Sequence, residues 1–183
     1  MQSELLDKIM FQKKIPIIGK GSADEIVNKF KKLINNNYEI IEITLRSEAA
    51  LETAIKIKKE FPNNIIGIGS IKTLTMLKEA SKYNFNFYVS PGTSSEILNY
   101  SNLNNLNFIP GVATSSDIMT AIEYKKTILK FFHAERNGGT SALKFLNEIF
   151  ENIKFIPTGG VNTNNYKSYL DLPNVISVGS TSF

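Results

Sequence analysis

Two charged residues stand where apolar ones are expected. In LKFFHAE (129–135) Lys130 lies between Leu129 and Phe131, inside a run that otherwise reads as a buried strand. In YEIIEITL (38–45) Glu42 stands among isoleucines. Lysine and glutamate are almost never fully buried unless they are paired or used. An amine and a carboxyl group brought together in an apolar setting have a definite chemistry. The neutral amine attacks a ketone carbonyl to form a Schiff base. The carboxyl group moves the protons for carbinolamine dehydration and C–C cleavage. Burial among phenylalanines favours the neutral amine and a nearby glutamate charge favours the ammonium; at the level of sequence that balance stays open. The competing reading is a buried ion pair that only holds the fold in register. Such a pair is weak as a stability device, because desolvation offsets much of the Coulombic gain.

Whether the two residues meet depends on the elements that carry them. Short apolar runs recur along the chain at 15–19, 38–45, 64–70, 85–90, 107–111, 127–132, 154–160 and 174–180. Several are apolar at consecutive positions, as strands covered on both faces are. Helical patterns lie between them. Ser22 with Glu25 forms a capping box before Ile26, Val27, Phe30, Leu33 and Ile34. Ser47 is expected to cap a helix carrying Leu51, Ala54 and Ile55. Thr114 with Asp117 opens another, with Ile118, Ala121 and Ile122 inward, and Ala142, Leu143, Leu146 and Ile149 mark one more. Weaker patterns fill 71–82, 94–100 and 162–171.

Strand–helix repetition implies parallel pairing through helical crossovers. Eight such units predict an α/β chain folded as one (β/α)8 TIM barrel domain over 1–183, short beside the ~250 residues common for that class. A doubly wound open sheet is the alternative. The sequence stops at Phe183, directly after the eighth run, so a last covering helix is expected to be missing. Strand side chains alternate faces, which puts Glu42 with Ile40 and Thr44, and Lys130 with Ile128 and Phe132. In a barrel the outward face packs on apolar helices, so both charges point inward. Interior layers draw on alternate strands. Glu42 is on the second strand and Lys130 on the sixth, so one layer can hold both.

Other polar residues gather at the C-terminal strand ends, where barrel active sites lie. Arg46 follows the second strand, and its planar fork suits a carboxylate or phosphate; it could equally pair with the helix beginning near Ser47. Ser70, ending GIGS, could add a hydroxyl to the same anion. Thr158-Gly159-Gly160 and Gly179-Ser180 follow the seventh and eighth strands, the loops that often bind phosphate through backbone N–H groups. His133 is the only histidine. It has no Ser or Cys partner at a recognisable spacing and reads as a packing or pocket-rim residue. No cluster has metal-ligand spacing, so no metal is expected, and no other cofactor is expected either.

Composition narrows the field. Hydrophobic residues make up 42% and charged residues 21% of the 183, with no cysteine and a net charge of +4. Disulfides are excluded, which suits a reducing compartment. The first residues, MQSELLDKIMFQKK, form a charged amphipathic stretch that reads as a short helix rather than a signal peptide. No apolar stretch approaches the ~20 residues of a membrane span. A cytoplasmic protein is expected. The lysines are scattered over helix faces, without the basic stripe and exposed aromatics of a nucleic-acid reader. A modest positive field favours a small anionic substrate.

Taken in order, IEITLRS (41–47), GIGS (67–70), VSPG (89–92), IPG (109–111), LKFFHAE (129–135) and PTGGV (157–161) resemble the bacterial 2-keto-3-deoxy-6-phosphogluconate (KDPG) and 4-hydroxy-2-oxoglutarate (KHG) aldolase family, from about the first strand to Ser180. The resemblance implies a metal-free class I aldolase on a (β/α)8 barrel, usually a homotrimer. It implies Lys130 as the Schiff-base lysine, Glu42 as the proton-transfer residue and Arg46 as the contact to the substrate carboxylate, with Ser70 where a threonine is usual. Pro91, Phe132 and Thr158 match pocket positions, and Gly159, Gly160 and Ser180 match the phosphate-binding turns. The reaction implied is reversible cleavage of the phosphorylated keto acid to pyruvate and glyceraldehyde 3-phosphate. The unphosphorylated substrate giving pyruvate and glyoxylate is the near alternative. A phosphate-barrel isomerase or epimerase and a catalytically silent sugar-phosphate-binding barrel are more distant ones. Two departures stand out: the family usually has proline at His133, and it continues past the Gly-Ser turn with a further helical segment.

Overall fold

A computed structural model describes residues 2–183. Helices and parallel strands alternate along the chain. In order they are α1 (Gln2–Gln12), β1 (Lys14–Ile18), α2 (Ala23–Asn35), β2 (Ile40–Thr44), α3 (Ala50–Glu60), β3 (Ile65–Gly69), α4 (Leu74–Ser81), β4 (Phe87–Val89) and α5 (Ser95–Leu103). Then come β5 (Phe108–Ile109), β6 (Gly111–Val112), α6 (Ser115–Glu123), β7 (Ile128–Phe131), a 3-10 turn (Glu135–Asn137), α7 (Gly139–Ile149), β8 (Lys154–Phe155), α8 (Tyr166–Leu170) and β9 (Val178–Ser180).

The strands form a curled parallel sheet in two pieces: β5-β4-β3-β2-β1-β9 and β6-β7-β8. One apolar run of the sequence, 107–111, thereby becomes two short strands. Pro110 is the cause, since it has no N–H to give the ladder; its carbonyl still accepts from Lys130 N at 2.9 Å. Single parallel bridges join Phe155 of β8 to Val175, and Thr158, just past β8, to Gly179 of β9.

Strand alternation sorts the core into layers. Ile41 and Ile43 of β2, Ile66 and Ile68 of β3, and Tyr88 of β4 face outward onto Ile26, Phe30, Ala54 and Leu77 of the helices. Leu129, Phe131 and Phe155 face outward onto Ile118, Leu143 and Tyr169. The inward face collects Ile15, Ile40, Ile65, Phe87, Val89, Ile109 and Ile156 with Ile9 of α1. The helix at the start of the chain thus lies across the N-terminal strand ends. Gln12 fixes it there: its amide donates to Lys14 O (2.7 Å) and Ile40 O (2.8 Å), and its oxygen accepts from Glu39 N and Ile40 N (both 2.8 Å). Gln12→Ala therefore strands four backbone groups and is expected to cost about 2 kcal/mol. A lowered urea midpoint at unchanged m-value checks this.

Helix starts follow their predicted chemistry in two cases. Ser22–Glu25 and Thr114–Asp117 both form reciprocal capping boxes. Ser47 differs. The following helix begins at Ala50 with Ala49 at its N-cap and no side-chain cap, and Ser47 Oγ is buried without a partner. Its backbone carbonyl, rather than its hydroxyl, meets the helix, accepting from Ala50 N at 3.1 Å. Ile122, expected to point inward, is 43% exposed, and Ile149, one of the residues that mark α7, is 52% exposed; they sit beside exposed Met119 and Phe145 on α6 and α7. Among the described residues no helix is long and apolar enough to cross a membrane.

Candidate active site

The two misplaced charges meet. Lys130 Nζ lies 3.3 Å from Glu42 Oε1, with side-chain exposures of 7% and 5%. Their strands place them: Glu42 shares the inward face of β2 with Ile40 and Thr44, and Lys130 pairs in register with Gly111 on β6. The pair sits in a small cavity lined by Ile15, Phe87, Val89, Ile109, Ile156, Thr158 and Gly179. The Phe132 ring stands 5.2 Å from Lys130 Nζ. Backbone neighbours hold this strand on both sides, as Phe132 N donates to Val112 O and Thr158 N donates to Phe131 O.

Room for Glu42 comes from β3. Gly69 is in register with Thr44, and a Cβ there would lie 1.9 Å from Glu42 Oε1. Two residues earlier, a Cβ at Gly67 would lie 2.1 Å from the Phe87 ring. The GIGS stretch is therefore a strand whose inward face is empty so that β2 and β4 side chains can fill it. Ser70 then turns into a left-handed conformation (φ 61°), an expense of order 1 kcal/mol that surroundings must hold in place. Its hydroxyl accepts from Arg46 Nε at 3.0 Å. Arg46 is otherwise exposed.

The remaining residues divide. Thr158 is buried and its hydroxyl donates to Ile156 O (3.3 Å), in contact with Gly179. Gly159 and Gly160 both have positive φ, 95° and 83°, which glycine alone adopts without strain. They form a tight turn packed on the 133–135 segment: Ala134 N donates to Thr158 O and Glu135 N to Gly159 O. The aliphatic stem of Glu135 lies under Gly160, and its carboxylate accepts from Tyr169 OH. Burial first, then that carboxylate, pushes the Tyr169 hydroxyl well above the ordinary tyrosine range. Ser180 is spoken for differently from expectation, since its hydroxyl donates to Val161 O and accepts from Ser182 N. Pro91 is half-buried on the loop after β4, where Ser90 Oγ donates to Gly92 O (2.6 Å) and accepts from Gly111 N (3.2 Å).

Three cations act on the only histidine at this end. His133 is exposed, and burial, then Arg136, Arg46 and Lys130, hold its imidazole below the usual histidine range. A mouth with this field draws anions. Among the described residues no group of three or more histidines and carboxylates is placed to hold a metal ion. A buried amine beside a carboxyl group, under a cationic rim and next to a turn of free N–H groups, can form an imine with a keto acid and move its protons. Gly69 and the Glu135–Tyr169 prop carried no side-chain signal of their own in the sequence.

Known proteins carry the same arrangement of sequence. The family model described as KDPG and KHG aldolase matches residues 6–183. A 2-dehydro-3-deoxy-phosphogluconate aldolase of Pseudoalteromonas atlantica is 36% identical over 167 residues, 91% of this chain and 78% of the relative. A KHG/KDPG aldolase of Escherichia coli is 33% identical over the same shares. Among solved structures, the KDPG aldolase of Legionella pneumophila, with pyruvate captured as a covalent carbinolamine, superposes with a TM-score of 0.92 at 30% identity, covering 99% of this chain and 86% of that one. With the model spanning nearly the whole sequence and these relatives agreeing with it, the chain belongs to the KDPG and KHG aldolase family.

Proposed function

We propose that this chain is a Schiff-base aldolase that reversibly cleaves 2-keto-3-deoxy-6-phosphogluconate to pyruvate and glyceraldehyde 3-phosphate. The observation that carries the reading is the buried Lys130–Glu42 pair at 3.3 Å. The carbinolamine captured in the Legionella pneumophila relative supports it.

One proton shifts from the ammonium to the carboxylate, freeing the Lys130 amine to attack the C2 ketone. The Glu42 carboxyl group returns a proton to the carbinolamine oxygen, water leaves, and a cationic imine remains. Glu42, again a carboxylate, takes the proton of the C4 hydroxyl. The C3–C4 bond breaks, its electron pair moves into the imine to give the enamine of pyruvate, and glyceraldehyde 3-phosphate departs. Protonation at C3 and hydrolysis release pyruvate and restore Lys130. Arg46, steadied by Ser70, holds the substrate carboxylate with a planar fork suited to it. Pro91, Phe132 and Thr158 wall the pocket. The N–H groups of Gly159 and Gly160, near Ser180, receive the phosphate.

The finer architecture belongs with this reading. The bridges from Phe155 to Val175 and from Thr158 to Gly179 support closure of both sheet pieces into one (β/α)8 barrel, a single catalytic domain over 1–183. A cytoplasmic homotrimer is part of the same proposal, and light scattering on the purified protein reads the oligomer directly.

Incubation with pyruvate, borohydride reduction and peptide mapping test the chemistry. An adduct on Lys130 is expected; its absence sinks the aldolase reading. Turnover of the phosphorylated substrate compared with 4-hydroxy-2-oxoglutarate then assigns the preferred acceptor.

A further inference from the structure

His133 stands beside the chemistry and takes no part in the steps above. Its ring stacks on Phe132, with 3.6 Å between centroids and 30° between planes. On its other side is Gly159, where an added Cβ would lie 2.8 Å from Nδ1. The imidazole thus stands between the ring that shields Lys130 and the turn of backbone N–H groups, exposed to whatever enters. The charges acting on it are cationic: Arg136 of the 3-10 turn, Arg46 after β2, and Lys130 of β7. Of the carboxylates at this end, Glu42 pairs with Lys130, Glu135 accepts from Tyr169 OH and Asp117 is bonded to the start of α6, while Glu48 in the loop after β2 is exposed.

We propose that His133 is a substrate contact, its imidazole donating a hydrogen bond to the terminal anionic group of the substrate's aldehyde half as that group settles on the Gly159–Gly160 turn. The contact rests on the aldolase reading. It has a proton linkage whose sign is fixed. In the free enzyme, burial and like charges hold the imidazole below its ordinary range. An arriving anion offsets those charges and partners the imidazolium, so binding takes up a proton. The gain in affinity is full below the free-enzyme pKa and is lost as pH rises through the bound one.

His133→Gln keeps a donor and removes the titration, so it tests the linkage directly. KM for the phosphorylated substrate is measured for both proteins from pH 6 to pH 8. The wild-type KM divided by the variant KM is expected to rise about five- to tenfold over that interval. The substrate phosphate, whose own second pKa is near 6, titrates in both measurements and cancels in the quotient. Borohydride trapping of pyruvate, which has no such terminal group, is expected to show no matching pH difference. A quotient that stays flat overturns the contact. So does a pyruvate difference as large as the substrate difference, because His133 would then act only by packing on Phe132. Absence of any wild-type adduct fails the aldolase reading first, so the two failures are separable.

Discussion

Lys130→Met is expected to leave no trapped pyruvate adduct and to lower cleavage by on the order of 10⁵-fold or more, the scale seen when a covalent nucleophile is removed. The same substitution reports on the pair's structural role. It leaves Glu42 facing Phe87, Val89 and Ile109 without its cation, and an uncompensated buried charge costs about 3–5 kcal/mol. The double variant Lys130→Met/Glu42→Leu removes both charges. Well-packed apolar residues in place of a buried ion pair are commonly neutral or stabilising by about 1–4 kcal/mol. The expected pattern is an unstable inactive single variant and a stable inactive double variant, read by urea unfolding beside the cleavage assay. If the pair instead served only to hold the strands in register, the double variant would be no more stable than the single one. Turnover within about tenfold of wild type in either would equally exclude Lys130 as the nucleophile.

The meeting of Lys130 and Glu42 across 88 residues of sequence was legible because it needs only alternation and strand order. Both are properties of the backbone, and apolar periodicity reports them. The fifth strand was legible as one run; its division at Pro110 follows from a missing N–H that hydrophobicity does not register. Ser47 misled because cap preference describes a residue type, whereas its hydroxyl is buried by the turn after β2. Ile122 and Ile149 fit the inward period of α6 and α7, yet the lattice of apolar positions on a helix is wider than the stripe its neighbours cover. Ser180 shows a different limit. Its place after a strand is visible in sequence, but its Val161 and Ser182 partners are not. His133 read as a packing or pocket-rim residue, and its stack on Phe132 beside Gly159 is a placement that spacing alone does not express.

Gly69→Ala is expected to lower kcat about 100-fold, the scale of a misplacement near 1 Å at a reacting group. The added Cβ would stand 1.9 Å from Glu42 Oε1, 2.7 Å from Cδ and 2.9 Å from Cγ. Oε1 is the atom that meets Lys130 Nζ, so moving the carboxylate out of the clash disturbs the pair itself. Overpacking adds about 1–3 kcal/mol of destabilisation. Gly67→Ala separates the two effects. It meets the Phe87 ring at 2.1 Å rather than the carboxylate, so its stability cost is similar while its kcat falls far less. The comparison works because the two glycines lie two residues apart on one face of β3, each clearing a different neighbour. Near-equal kcat losses in the two variants would mean that general disorder of β3, and not displacement of Glu42, limits the reaction. A kcat for Gly69→Ala within threefold of wild type would remove Glu42 from proton transfer, since the carboxylate cannot keep its place beside that methyl group.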